Sequence, residues 1–187
     1  MTKRLALAAI ALSIPAGLAF APLAAQTAPA EPDVLNNANP DAFQVYGLPG
    51  GGKPASIKDA KVQFGKAIRV DTPGSGDPWA IGVNSPLSKP VKKGDKIVIA
   101  FYARVEKGAD ASGAGKVMGQ LQLAAAPYTQ VFGKPCDVTG EWKLCTAAGH
   151  ADRDYGAGEL AAALHLNTAK QTLDIGAMAV LNYGQKP

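Results

Sequence analysis

From Asp41 onward, glycine or proline recurs roughly every ten residues, and the stretches between them alternate apolar with polar or small side chains. Alternation by two is the period of a pleated strand: successive side chains leave opposite faces, so one face can enter a core while the other stays free. The clearest case is Lys96–Val105, KIVIAFYARV, which follows the turn Lys93-Gly94-Asp95. It is rich in β-branched and aromatic residues, and its pattern puts Ile97, Ile99, Phe101 and Val105 on one face. Val98, Ala100, Tyr102 and Arg104 fall on the other. The same reading predicts strands at about 64–70, 79–84, 117–123, 128–132, 142–147, 160–166 and 172–181. Residues 159–166 are alanine-rich and open to a helical reading, but Leu160, Ala162, Leu164 and Leu166 hold a period of two and form no three-to-four-residue stripe. Eight such strands predict an all-β fold, a two-sheet antiparallel β-sandwich of the jelly-roll kind.

The N-terminal stretch has a different character. Lys3 and Arg4 precede an apolar run, Leu5 to Ile14, interrupted by Pro15 and Gly17 and followed by Leu23-Ala24-Ala25. The run is about half the ~20 residues that cross a bilayer, and the layout is that of a secretory signal cleaved near Ala25. Pro22 disfavours the earlier Ala19-Phe20-Ala21 site, and an uncleaved anchor is the alternative. Residues 26–40, QTAPAEPDVLNNANP, read as a disordered linker. This leaves one sandwich over residues 41–184, periplasmic or secreted and not membrane-bound once the signal is removed. Losing Lys3 and Arg4 from 19 basic and 15 acidic groups brings the chain close to neutral. Lys89, Lys92, Lys93 and Lys96 cluster around Pro90 and Gly94, as in a solvated turn, so nucleic acid is not an expected partner.

An exported chain with one pair of cysteines is expected to oxidise it. If Gly140-Glu141 is a two-residue hairpin loop, counting outward sets Cys136 opposite Cys145 in neighbouring strands, close enough for a disulfide. Metal binding is the competing use, but C-x8-C without nearby histidines lacks the usual ligand spacing.

Several motifs approach a known chemistry and stop short. Gly47–Lys53, GLPGGGK, matches seven positions of a phosphate-binding loop, yet Pro54 stands where a hydroxyl must hold magnesium, so no nucleotide is expected. Gly113, Gly115 and Gly119 miss the dinucleotide spacing. Two histidines, His150 and His165, without a G-x-S-x-G element leave a hydrolase triad few ways to form. His150, Asp152, Asp154 and Glu159 lie close enough in sequence for a structural calcium ion to be conceivable, though a polar loop is the simpler reading and no cofactor is called for. Paired carboxylates for glycoside hydrolysis are compatible with fifteen acids. However, Asp71, Asp77, Asp95, Asp110 and Asp137 sit beside glycine, proline or other turn signals, where aspartate forms turns.

The outward faces of the predicted strands carry Tyr102 and Arg104, then Met118, Gln120 and Gln122, then Ala161, Ala163 and His165. If these strands share a sheet, one face holds an aromatic ring, a guanidinium, two amides and an imidazole. Rings stack on the apolar face of a pyranose, and planar donors and acceptors suit paired hydroxyls. An ordinary solvated sheet face accounts equally for the pattern.

The run PWAIGVNSPLSKPVKKGDKIVIAFYARVE, the glutamine-rich strand after it, GEWKLCTAAGHA and the closing QTLDIGAMAVLNYG together resemble carbohydrate-binding modules of the family 4/9 type. The resemblance covers about 41–184 and implies a galactose-binding-like jelly roll that holds glycans on its concave sheet through aromatic and polar side chains. The positions that match are Tyr102, Arg104, Gln120, Gln122 and His165, with Tyr128 flanking them. Trp142 resembles the framework tryptophan that opens a later strand. Trp79 alternates with Ile81 and Val83 and so looks buried, although its place at a strand start could leave the ring at the cleft rim. The expectation is an exported, non-catalytic protein that binds a polysaccharide or oligosaccharide. The alternatives are a small glycan-active hydrolase and a periplasmic structural or partner-binding sandwich without a sugar site.

Overall fold

The computed structural model describes residues 31–108 and 111–185. Two antiparallel sheets pack face to face. The back sheet runs β3 (Ala55–Lys58), β4 (Lys66–Pro73), β11 (Lys170–Asn182), β6 (Lys96–Lys107), β9 (Lys143–His150), with β1 (Asp33–Val34) added to the far end of β11. The front sheet runs β2 (Gln44–Tyr46), β5 (Gly82–Pro86), β10 (Leu160–His165), β7 (Gly115–Leu123), β8 (Gln130–Val138). All eight predicted strands are present as elements of an all-β sandwich. The three that the pattern missed, β1 to β3, have only two to four residues, too few for alternation to register.

The core lies between the sheets. Ile97, Ile99, Phe101 and Val105 of β6 meet Val117 and Leu121 of β7 and Leu160, Ala162 and Leu164 of β10, all nearly inaccessible to water. Burying each large side chain is worth about 1.5–3 kcal/mol. Along β11 the inward set changes parity, from Leu173 and Ile175 to Met178 and Val180, because the register with β6 slips between Ile175 and Met178. The bulge places Gly176 beneath Tyr102 and Trp142, where an added Cβ would lie 3.1 Å from the Cβ of Tyr102. One extra residue thus lets a thirteen-residue strand keep its apolar face inward over its whole length.

Two sequence expectations need correction. Residues 33–40 are part of the sandwich and not linker. Leu35 is buried, its N–H bonds to the Val180 carbonyl at 2.9 Å, and the Asn36 side chain joins Ser85 of the front sheet (2.8 Å) to Met178 (2.9 Å) and Val180 (2.8 Å) of the back sheet. Short polar and proline-rich sequence concealed an edge strand and a bridging amide. The expected signal segment and residues 26–30 lie outside the described residues.

The second correction concerns the cysteines. Cys136 and Cys145 are bonded, with Cα atoms 5.9 Å apart, but not across a hairpin. β8 pairs with β7 in the front sheet and β9 with β6 in the back sheet, so the disulfide ties together two edge strands of different sheets. Residues 139–142 turn the corner of the sandwich, where the Thr139 carbonyl accepts from Val105 N–H at 2.7 Å.

Candidate functional site

The outward face of the front sheet forms the floor of an open cleft of about 930 Å³. Strand register arranges the floor in rows. One row reads Gln44, Asn84, Ala163, Gln120, Gly133 across β2, β5, β10, β7 and β8; the next reads Tyr46, Gly82, His165, Met118, Pro135. Ala163, small and central in the first row, is flanked by the amides of Asn84 and Gln120, while in the second row the Tyr46 phenol lies over Gly82. Gln120 Nε2 donates to Gln122 Oε1 at 2.5 Å, which fixes both planes, and both side chains are buried to 5 % and 4 % exposure. Asn84 Oδ1 is buried without a hydrogen-bond partner among the described residues, an acceptor left over in the floor.

Two rings stand above this floor. Trp79, 56 % exposed, rises from the loop before β5, and its indole meets the His165 ring edge-on with centroids 6.4 Å apart. The buried side chain of Asn167 organises that loop. Its Oδ1 accepts from Gly74 N–H (2.9 Å), and its Nδ2 donates to the Ser75 (2.7 Å) and Asp77 (3.1 Å) carbonyls. Gly47 packs against the same loop with so little clearance, at a φ of 75°, that a Cβ there would overlap the Ala80 carbonyl. Tyr128, 53 % exposed, stands at the β7–β8 turn with a φ of 55°. That left-handed backbone costs a non-glycine residue about 1–2 kcal/mol, and such strain tends to gather at binding sites.

Burial lowers the pKa of His165 and keeps its imidazole neutral in the cleft. Burial, with a smaller contribution from Tyr128, raises that of the Tyr46 phenol. Among the described residues that line the cleft none carries a carboxylate. The cleft can stack rings and exchange hydrogen bonds with a ligand.

Of the residues expected from sequence, Gln120, Gln122, His165 and Tyr128 line this cleft together. Tyr102 and Arg104 do not join them, because β6 belongs to the back sheet and their face points away from the cleft. Arg104 is engaged there: Nε meets Asp174 at 2.9 Å, Nη1 meets Asp59 at 3.2 Å, and its guanidinium lies 4.8 Å above the Trp142 ring. Arg69 grips the other side of Asp174 at 2.7 Å and pairs with Glu106 at 2.8 Å. Trp142 donates its indole N–H to Asp59 at 2.9 Å, the main reason that carboxyl is held below its ordinary pKa. Trp142 is therefore a packing residue, although on the outside of the back sheet.

The acids of the 150–159 loop are also engaged. Asp152 accepts from the Tyr155 hydroxyl (2.5 Å), Asp154 from Lys93 N–H (2.8 Å), and Glu159 from Arg153 (2.5 Å) and Gly156 N–H (2.9 Å). Among the described residues no group of three or more His, Cys, Asp or Glu side chains is placed to hold a metal ion. Trp79, which alternation made look buried and a strand-start place could leave at the cleft rim, is exposed at that rim; the site residues that sequence reasoning missed are Tyr46, Gln44, Asn84 and Lys116. Trp79 had a signal, since Gly74, Gly76 and Asp77-Pro78 mark a long turn just before a strand. Gln44 and Tyr46 lie on a three-residue strand, which gave none.

No protein-family model and no curated protein sequence matches the chain. Its structure is similar to many solved ones, among them the following three. An arabinose-bound GH51 α-L-arabinofuranosidase aligns with a TM-score of 0.59 at 11% identity, over 80% of this chain and 26% of that one, so the chain spans about a quarter of the enzyme's length. A CBM4 carbohydrate-binding module aligns with a TM-score of 0.56 at 17% identity, over 76% of this chain and 96% of the module. The CBM22-1 xylan-binding domain of Paenibacillus barcinonensis Xyn10C aligns with a TM-score of 0.55 at 14% identity, over 84% and 99%. The likeness spans modules of both types along nearly their full length, and what it shows is that the chain has the β-sandwich fold of carbohydrate-binding modules.

Proposed function

We propose that this is an exported, non-catalytic carbohydrate-binding protein that takes a polysaccharide or oligosaccharide chain in the cleft of the front sheet. The observation that carries the reading is the pairing of two half-exposed rings, Trp79 and Tyr128, with a floor of ordered amides. Sugar rings would stack on the aromatic faces, while Gln44, Asn84, Gln120 and Gln122 exchange hydrogen bonds with hydroxyls. The fold shared with a xylan-binding domain supports the same ligand class, and the paired cysteines and N-terminal sequence support export. Tyr102 and Arg104 have no part in this site.

Titration calorimetry against xylan, mixed-linkage β-glucan and cello-oligosaccharides tests the proposal. Binding is expected to at least one glycan class, with affinity lost in Trp79→Ala and reduced in Tyr128→Ala and Gln120→Ala. Silence across a broad glycan array, or a Trp79→Ala protein that binds as tightly as the parent, would refute it. Release of reducing sugar from the bound polymer would instead favour the hydrolase reading, which the carboxylate-free lining opposes.

A further inference from the structure

The charge of the cleft lining is one-sided. Among the described residues it includes no carboxylate, burial favours the neutral form of His165, and Lys116 is the one lysine or arginine. Lys116 is an outward-facing residue at the start of β7, in line with Met118, Gln120 and Gln122. Its main chain is held from both sides by the buried side chain of Gln171, which accepts from Lys116 N–H at 3.0 Å and donates to its carbonyl at 2.9 Å. The Thr168 hydroxyl donates to the same carbonyl at 2.6 Å. The backbone is fixed while the ammonium remains available. The side chain is 56% exposed and, among the described residues, its ion-pair partner is Asp137, itself 80% exposed, at 3.7 Å. So loose a pair in water contributes almost nothing, and exchanging it for another carboxylate carries little penalty. Lys116 also lies at the tryptophan end of the cleft, because His165, which touches Trp79, pairs across the sheet with Met118.

A cation whose acid partner among the described residues is loose and exposed selects for charge on the ligand. We propose that the polysaccharide held in this cleft carries carboxylates, as uronic acid units or uronic acid branches, and that Lys116 pairs with one of them near the ring stacked on Trp79. The inference rests on the glycan-binding reading of the same cleft and adds the class of glycan.

Two acidic polymers, glucuronoxylan and polygalacturonate, are each compared with the carboxyl-reduced form of the same polymer, so that only the charge differs. Calorimetry with the mature chain is expected to show the acidic member of at least one pair bound about fivefold more tightly at low salt. That advantage should vanish near 1 M salt, where the screening length is about 3 Å. Lys116→Met, checked for an unchanged melting temperature, should bind both members of that pair alike, whereas Trp79→Ala weakens both. Equal binding of acidic and reduced forms by the parent protein, or a preference that survives in Lys116→Met, overturns the inference and leaves glycan binding intact. Failure of all four polymers overturns it as well; the glycan-binding reading falls with it only if the neutral glycans also fail.

Discussion

Asn167 never faces the cleft, yet the structure makes it the support of the Trp79 platform. At 2 % exposure it contributes three side-chain hydrogen bonds to the 74–80 loop, to Gly74, Ser75 and Asp77. Asn167→Ala removes all three. At about 1 kcal/mol net for each bond, the ordered loop loses about 3 kcal/mol relative to its open forms. Affinity then falls by the fraction of molecules in which the indole is still positioned. The ceiling of the effect is complete loss of Trp79: covering about 80 Å² of exposed ring at ~25 cal/mol per Å² is worth roughly 2 kcal/mol, or about 30-fold. Asn167→Ala is therefore expected to weaken glycan binding about 10- to 30-fold and to add little to Trp79→Ala in the double variant. Hydrogen exchange should speed up at the amides of Gly74 and Ala80, while β6 and β11 stay protected. Asn167→Asp is the sharper probe. It keeps an acceptor for Gly74 but turns an unprotonated oxygen toward two carbonyls, so it should bind no better than the alanine variant. If aspartate behaved like the parent, or alanine left both affinity and loop exchange unchanged, Asn167 would be a space-filler and the platform argument would fail.

Three further outcomes follow from the same geometry. Arg104→Ala leaves the fully buried Asp174 with Arg69 as its remaining cationic partner; urea unfolding should show a loss of about 2–4 kcal/mol, with glycan affinity unchanged within about twofold. The Cys136→Ser/Cys145→Ser double variant frees a nine-residue separation, which the loop-entropy relation values at about 3 kcal/mol; a loss below about 1 kcal/mol would mean the sheets are held at that edge by packing alone. Burial lowers the His165 pKa, so the unfolded chain takes up the proton first. The stability that depends on neutral His165 is fully present above about pH 6.5 and is lost as pH falls from there toward the lowered value. His165→Gln should flatten that limb and leave the steeper loss below about pH 4, where Asp59, Asp152, Asp154 and Glu159 protonate against their lowered values.

Much of the fold is legible in the sequence because burial enforces alternation. On β6 every predicted inward residue is inward, since a slip of one position would expose Ile97, Ile99 and Phe101 together. Where burial does not enforce a pattern, the sequence is mute. β2 and β3 pair along one edge over three or four residues, and the β11 bulge breaks the period at Gly176, which looks like any other glycine. The Cys136 to Cys145 segment shows a different limit. Its spacing fits a hairpin and a sandwich corner equally well, and the choice between them rests on where β7 and β6 lie, which no local pattern contains.

The candidate site was half legible for the same reason. Alternation tells which side chains leave a strand on its outer face, and it did so correctly for Tyr102, Arg104, Gln120, Gln122 and His165. It does not tell which outer face, because a sandwich has two and both are free of core constraints. Chemistry separates them only afterwards. On the back sheet the charges find one another, Arg69 and Arg104 closing on Asp174 and Asp59, and the face neutralises itself. On the front sheet the amides, an imidazole kept neutral and two rings in open loops leave hydrogen bonds and apolar area unspent. A sequence could signal that difference through opposite charges on neighbouring strands of one sheet. Arg69 with Asp174 is such a pair, in direct register across β4 and β11. Arg104 is in register with the same aspartate across β6 and β11, so the three charges together mark β4, β11 and β6 as one sheet.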